Sequence, residues 1–122
     1  MINEITLDDI KDYYLEAKKS GLLFCKTTKL YGLYIGNDLV GFTGIIFNKN
    51  KATFKNHYVI NKHRGKGYFK QMFIFSINLC KSKDIKVIEA VCTKMSIKTY
   101  YDYGFKPVKK YKHLVKVRYE NL

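Results

Sequence analysis

Residues 61–72 read NKHRGKGYFKQM and contain the residue types most suited to chemistry in this chain. The stretch combines Arg64 with Gly65 and Gly67, and then opens an apolar pattern of helical period. Glycine lets the backbone turn its N–H groups inward, and a helix N-terminus favours negative charge. A glycine loop between a strand and a helix therefore suits an anion such as a phosphate group. The alternative is a surface turn in a lysine-rich protein.

The segments before this loop predict one helix and three strands. Residues 7–21, LDDIKDYYLEAKKSG, have apolar residues at helical spacing, with Thr6 as N-cap and Gly21 near the C-terminus. Two aromatic and β-branched runs then flank GND, which is a strong hairpin signal. After the turn NKNK, residues 52–60, ATFKNHYVI, predict a third strand that leads into the loop.

The segments after the loop predict two more helices and the rest of a sheet. Residues 68–83 place apolar side chains on one helical face, and IKVIEAVC predicts a buried strand. KMSIKTYYDYGF predicts a short helix that ends at Gly104, and residues 107–120 predict one or two strands with a lysine-rich solvent face. The predicted order is α-β-β-β-α-β-α-β. This order indicates one α/β (α+β) domain, residues 1–122, with a mixed central sheet and helices on both faces.

The composition limits the possible locations and partners. The hydrophobic fraction of 47% is typical of a folded chain, and no apolar run approaches the roughly 20 residues of a membrane span. The polar start MINEITLDDIKDYY does not resemble a signal peptide, so we expect a cytoplasmic protein. Cysteines 25, 80 and 92 lack metal-type spacing, which favours reduced, mostly buried thiols and no metal site.

The net charge of +13 predicts attraction to polyanions. Lys and Arg together number 23, and the only arginines are Arg64 and Arg118. Nucleic acid, a phosphorylated cofactor or an acidic surface would all fit this charge. The alternative is a default lysine surface, since Lys, Ile, Asn, Tyr and Phe are abundant together, as expected of an AT-rich genome.

The segment HYVINKHRGKGYFKQM resembles the coenzyme A-binding motif of the GNAT N-acetyltransferases. That motif is Gln/Arg-x-x-Gly-x-Gly/Ala, and it follows a strand and opens a helix. Arg64 and Gly67 match it, whereas Phe69 stands where the last Gly or Ala usually lies. We expect the Phe69 side chain to point into the core from the start of the helix.

A second segment, SIKTYYDYGF, resembles the GNAT pattern near the thiol end of the cofactor. The pattern is Ala-Ile-x-x-Tyr-x-x-x-Gly-Phe, and the usual preceding Asn is Thr93 here. The resemblance covers about residues 7–119, with a trimmed N-terminal region. The residues that take the positions of this second pattern are Ser96, Ile97, Tyr100, Gly104 and Phe105.

The resemblance implies direct acetyl transfer from acetyl-CoA to an amine, without a covalent enzyme intermediate. A free backbone N–H near Tyr58 or Val59 would polarise the thioester carbonyl, and Tyr100 would give a proton to the leaving thiolate. Thr93 and Ser96 would lie near the thiol end. Lys66 and Lys70 would add charge at the cofactor's pyrophosphate. The backbone N–H groups that would hold the pyrophosphate are those of Arg64, Gly65, Lys66, Gly67, Tyr68 and Phe69.

Two residues are candidates for the general base. Glu89 lies in an otherwise apolar strand, where a carboxylate would have a raised pKa, but it would equally suit an ion pair with a lysine. His57 lies on the strand before the loop. His63 and His113 have the character of surface residues.

Three classes of function remain open. The first is an acetyltransferase for a small amine or a protein. The second is an acyltransferase-fold enzyme for nucleic acid, as in the phage Mom-type adenine-modification enzymes, with aromatic platforms beside a basic groove. The third is a non-catalytic binding protein, which the departures at Phe69 and Thr93 favour. The acceptor, and whether the protein is a monomer or a homodimer, stay open. The residues proposed for the nucleic-acid groove are Tyr31, Tyr34, Tyr101, Tyr103, Lys106, Lys109, Lys110, Lys112, Lys116 and Arg118.

Overall fold

A computed structural model describes residues 1–19, 22 and 27–120. Its helices are α1, Tyr14–Lys19; α2, Tyr68–Ser82; and α3, Ile97–Asp102, with 3-10 segments at Leu7–Tyr13 and Asn61–His63. Its strands are β1, Ile2–Ile5; β2, Lys29–Ile35; β3, Asp38–Asn48; β4, Lys51–Val59; β5, Val87–Thr93; β6, Lys106–Lys110; and β7, Leu114–Glu120.

The seven strands form one mixed sheet in the order β1-β2-β3-β4-β5-β7-β6. Only the pair β4–β5 is parallel, and the crossover between these two strands contains α2. The predicted mixed sheet is therefore confirmed, with both C-terminal strands present. Strand β1 was not predicted, because four residues are too few to give a periodic signal.

Helices lie on both faces of the sheet, as predicted. On one face α2 buries Phe73 and Ile77 against β3, β4 and β5, and Tyr100 of α3 joins the same cluster. On the other face Ala17 of α1 packs in a cluster with Phe42 of β3. Each face of the sheet thus has its own apolar core.

The first predicted helix is mainly a 3-10 segment followed by the short helix α1. Thr6 is its N-cap, as predicted, and the Thr6 N–H donates to Asp9 Oδ2 over 2.8 Å. The predicted helix end at Gly21 lies outside the described residues, as does Cys25. No helix of the described chain is long and apolar enough to cross a membrane.

Strands β4 and β5 separate part of the way along the sheet. Their parallel pairing runs from Lys51 with Val87 to Phe54 with Ala90 and then stops. Beyond that point β4 stays paired with β3, and β5 stays paired with β7. A bulge in β4 between Lys55 and Tyr58, opposite Phe42 and Gly44 of β3, accompanies the separation and increases the local twist. The two diverging strands leave a cleft in the middle of the sheet.

Candidate functional site

The glycine loop enters α2 with two residues in left-handed backbone conformation. Gly65 has φ 79° and Gly67, the N-cap of α2, has φ 82°. A Cβ added at either glycine would meet no atom within 4 Å, so the reason for glycine is the backbone angle and the open space above it. Among the described residues, no main-chain carbonyl accepts a hydrogen bond from the N–H groups of residues 65–70. These donors are free to bind an anion.

Arg64 is held by the protein itself. Its Nε donates to the Val59 carbonyl over 3.0 Å, and its guanidinium carbon lies 5.2 Å from the centre of the Tyr58 ring. The Arg64 main-chain N–H contacts the Asn61 carbonyl at 3.4 Å. The expected row of free N–H groups therefore begins at Gly65 and not at Arg64, and the Arg64 side chain fixes the loop to the end of β4.

Glu16 of α1 ties the first helix to the same loop. Its Oε2 accepts hydrogen bonds from the Tyr58 hydroxyl, at 2.5 Å, and from the Asn61 N–H, at 2.9 Å. Burial alone would raise the pKa of the Glu16 carboxyl, but these hydrogen bonds and the nearby Arg64 and Lys62 hold the pKa below its ordinary value. Sequence analysis missed Glu16, since nothing in its helical spacing marks a partner so far along the chain.

The cleft between the diverging strands has a volume of about 530 Å³. The glycine loop lines it together with the last residues of β4, the last residues of β5 and one side of α3. Of the residues proposed from the sequence as cofactor-binding, the cleft contains Tyr58, Val59, Arg64, Gly65, Gly67, Tyr68, Phe69, Thr93 and Ser96. Lys66 and Lys70 are exposed beside it.

The main-chain direction at the end of β4 places one N–H toward the cleft. The N–H and C=O groups of successive strand residues point alternately to opposite sides. The Tyr58 carbonyl lies against Gly41 of β3, and the Ile60 N–H donates to the Val40 carbonyl of the same strand. Val59, between them, therefore directs its N–H away from β3 and into the gap left by β5. Of the predicted pair Tyr58 and Val59, it is Val59 whose N–H points away from β3.

Tyr100 lies in the cleft wall with 4% of its surface exposed. Its ring packs edge-on against Phe73 and Phe105, with centroid distances of 4.9 Å and 5.1 Å. Burial, reinforced by the Cys92 thiol, raises the pKa of the Tyr100 hydroxyl above its ordinary value. Among the described residues its hydroxyl has no hydrogen-bond partner. A neutral hydroxyl in a cleft is able to donate a hydrogen bond to a bound molecule.

His57 lies in the cleft but has little capacity as a base. Its ring contacts Phe54, Phe69 and Phe73, and Nε2 lies 3.4 Å from Ser76 Oγ. Burial lowers the pKa of His57 to about 3, although a hydrogen bond to the Lys55 main chain opposes this shift. An imidazole with so low a pKa is neutral at physiological pH and is a weak proton acceptor. His57 is therefore a neutral ring in the cleft wall.

Glu89 has the opposite environment to the one predicted for a base. Its side chain is 6% exposed, forms an ion pair with Lys51 and receives hydrogen bonds from Arg118 at 2.7–2.8 Å, with Lys116 at 3.8 Å. The hydrogen bond from Lys51 is the main reason that the pKa of Glu89 is lowered; burial opposes it, and Arg118 and Lys116 add to it. The expected raised pKa is wrong, and the lysine pair that the sequence left open is present. The carboxylate joins strands β4, β5 and β7.

Replacing Glu89 by Gln should lower stability and leave catalysis in place. The change leaves Lys51 and Arg118 without their carboxylate, at a cost of about 2 kcal/mol because these cations are partly exposed. A lowered folded-state pKa contributes stability above the unfolded pKa, and this contribution is lost as pH falls through the folded value. The variant should therefore show a smaller loss of stability on acidification than the native chain, by urea denaturation between pH 7 and pH 3. An E89Q variant that is fully stable but inactive in acetyl transfer would instead indicate that Glu89 is the general base.

The structure shows where Phe69 and Thr93, the two residues that depart from the GNAT motifs, lie. Phe69 packs against the core cluster and stacks on Phe73 with a centroid distance of 6.4 Å, so its predicted inward direction is confirmed. Thr93 ends β5 at the edge of the cleft, with its Oγ1 3.4 Å from the Ser96 hydroxyl. Ser96 is the N-cap of α3. The Thr93 and Ser96 hydroxyls are thus neighbours and remain available to a molecule in the cleft.

Some of the residues proposed for a nucleic-acid groove have other contacts in the structure, whereas Lys106, Lys109 and Lys110 of β6 are exposed. Tyr31 is buried in the core, and Tyr34 and Tyr103 pack against core clusters, which leaves only Tyr101 exposed among the four proposed platforms. Lys116 and Arg118 are neighbours of the Glu89 carboxylate. Lys112 was expected on a strand but lies in the turn after β6.

Among the described residues, the remaining reactive residue types give no second site. Cys80 and Cys92 are free, buried thiols, as predicted, and burial raises the pKa of Cys80 to about 12. Within the described ranges, no group of His, Cys, Asp and Glu side chains could hold a metal ion. His113 is exposed, as predicted, and His63 is half-buried beside the loop.

The chain has the fold of the GNAT acetyltransferases, as comparison with solved structures shows. Escherichia coli ElaA superimposes with a TM-score of 0.80 at 11% identity, covering 98% of this chain and 99% of that one. A GNAT family acetyltransferase from Elizabethkingia anophelis with acetyl-CoA bound gives 0.73 at 15% identity, with coverages of 99% and 97%. A Bacillus subtilis acetyltransferase in complex with CoA gives 0.74 at 16% identity, with coverages of 100% and 97%. No protein-family model and no curated protein sequence matches the chain.

Proposed function

We propose that the protein is an acetyl-CoA-dependent N-acyltransferase that transfers the acetyl group directly to an amine. The observation that carries this proposal is the cleft between the separated strands β4 and β5, which contains both free loop N–H groups and the Tyr100 hydroxyl. Structures with the same fold have been solved with acetyl-CoA or CoA bound, which supports the choice of acyl donor.

The residues of the cleft fit a coenzyme A molecule. Gly65 and Gly67 leave open space above the loop, and the N–H groups of residues 65–70 are free to bind the pyrophosphate. Lys66 and Lys70 add positive charge next to these donors. The apolar rings of Phe54 and Phe69 give the extended pantetheine arm a surface to pack on. The bound molecule supplies an activated thioester for transfer.

Val59 and Tyr100 would carry the chemical steps on the protein side. The Val59 N–H, which points into the gap, would donate a hydrogen bond to the oxygen that becomes negative when the amine attacks. The Tyr100 hydroxyl would donate its proton to the departing sulfur. Its raised pKa keeps it protonated at neutral pH, as a donor requires.

The amine would lose its proton to water and not to an acidic side chain. Glu89 is held in ion pairs outside the cleft lining, and the pKa of His57 lies near 3. The cationic surroundings of the cleft, including Lys55, favour the neutral form of an approaching amine. The free base that attacks the thioester would then come from the solution equilibrium.

A transfer assay tests this function. Purified protein is incubated with acetyl-CoA and a panel of polyamines and peptides, and released thiol and acetylated product are measured by absorbance and mass spectrometry. We expect thiol release that depends on the acceptor and matches the product formed. Tight acetyl-CoA binding without transfer to any amine would instead identify a non-catalytic binding protein.

A further inference from the structure

Part of the sheet has one face without a helix among the described residues. Helix α1 covers this side only near Phe42 and Tyr58, while α2 and α3 lie on the opposite side. No described helix therefore covers the outward side chains of β5, β7 and β6 or those at the start of β4, and we call this surface the open face. Its basic residues are Lys51, Lys55, Lys106, Lys109, Lys116 and Arg118.

The open face is strongly basic, which decides the charge of its partner. The only acids that alternate onto it from these strands are Glu89, already in ion pairs, and Glu120. A second copy of this chain would bring like charges together, and such a contact is unfavourable. An anionic partner would neutralise the excess positive charge of the open face.

The side chains between the cations favour a polypeptide over a nucleic acid. Val91 and Leu114 are 53% and 40% exposed on this face, next to Lys116 and Thr93. None of the described strand residues of the open face is aromatic, and the one exposed ring that contacts its cations among the described residues, Tyr111 beside Lys109, is too little for a row of stacked bases. Exposed apolar side chains among the cations of a sheet face match an extended segment that carries both apolar and acidic residues.

The open face continues into the cleft. Lys55, Val91 and Thr93 belong to both surfaces, so a chain lying on the face can reach the cleft with its end. We infer that the open face binds an acidic, apolar-containing polypeptide segment whose amine is the acyl acceptor. The inference rests on the proposed acyltransferase function for the transfer itself. In that step the amine nitrogen bonds to the acetyl carbon, the carbon–sulfur bond breaks, and the amine loses a proton as the thiol gains one.

Adjacent residues of β6 provide a matched pair of variants. Lys109 is in register with Lys116 on the open face, whereas Lys110 is in register with Val115, whose side chain packs toward the helices. Both lysines are exposed. K109E and K110E therefore make the same charge change one residue apart, on opposite faces of one strand.

The test measures binding of a labelled short peptide of alternating Glu and Val with a free N-terminus, by fluorescence anisotropy at low salt. We expect K109E to weaken binding about tenfold and K110E to change it by less than about twofold. Single-stranded and duplex DNA of similar length are titrated in parallel. Acetylation of the peptide N-terminus is followed by mass spectrometry, and acetyl-CoA affinity is measured separately.

The possible outcomes distinguish a failure of this inference from a failure of the proposed acyltransferase function. Peptide binding that is lost in K109E but not in K110E supports the open face even if acetyl-CoA fails to bind, which would remove only the acyltransferase function. Equal effects of the two variants, or no peptide binding, would overturn the inference. Tighter, K109E-sensitive binding of DNA would overturn it in favour of nucleic acid. A dimer in sedimentation that dissociates on the K109E change would assign the face to a second copy.

Discussion

Replacing Gly67 by Val should reduce acetyl-CoA affinity by at least about a hundredfold. Gly67 has φ 82°, which a β-branched residue adopts only with strain, and relaxing that strain turns the loop N–H groups away from the cleft. Losing two charge-assisted hydrogen bonds, at about 1.5–3 kcal/mol each, accounts for this factor. Isothermal titration calorimetry with acetyl-CoA measures the change.

Gly36 provides the control for Gly67. It has φ 62° in the turn between β2 and β3, and an added Cβ there also meets no atom within 4 Å. G36V therefore introduces comparable strain, about 1–3 kcal/mol of stability, away from the cleft. We expect normal acetyl-CoA affinity in G36V. Equal affinity losses in the two variants would show that strain acts on the whole fold and not on the loop.

Replacing Tyr100 by Phe should lower turnover by roughly ten- to a thousandfold, the range for loss of a general acid. The ring contacts with Phe73 and Phe105 remain in Y100F, so the core is preserved. The lost hydroxyl has no hydrogen-bond partner among the described residues, so stability should change little. Steady-state kinetics should show the effect in kcat, with acetyl-CoA affinity nearly unchanged.

Tyr103 is the matched control for this substitution. Its ring also packs on Phe73, at a centroid distance of 5.2 Å, but it does not line the cleft. Y103F should keep the native turnover. Wild-type turnover in Y100F, or an equal loss of turnover in Y103F, would indicate that Tyr100 contributes to packing and not to proton transfer.

Much of the fold was predictable because its signals are local. The helical period of residues 68–83 and the GND turn each specify an element without reference to distant residues. The two glycines with positive φ were equally visible, since the loop lies between a strand and a helix. The strand Ile2–Ile5 was not predicted because its structure depends on pairing with β2, about 30 residues later.

The electrostatics of the site were not predictable, because they depend on contacts between distant segments. Glu89 looked like an isolated carboxylate in an apolar strand, yet Lys51 and Arg118 reach it from the strands on either side. Glu16 bonds to Tyr58 and Asn61 across more than 40 positions of sequence. The pKa of His57 falls because three phenylalanine rings from β4 and α2 surround it. The environments of Glu89, Glu16 and His57 all depend on strand register and side-chain packing, which a single sequence does not specify.

Acetyl-CoA binding in the cleft between β4 and β5 is tested most directly by a 1H–15N NMR titration of the labelled protein with acetyl-CoA. The amide signals of residues 65–70 and of Val59 should shift with one saturation curve, together with Thr93 and Ser96, because these groups line one cleft or lie beside it. Signals of the β2–β3 turn around Gly36 should stay in place. Saturable shifts confined to residues outside the cleft, or no shifts at high acetyl-CoA concentration, would contradict the proposed function.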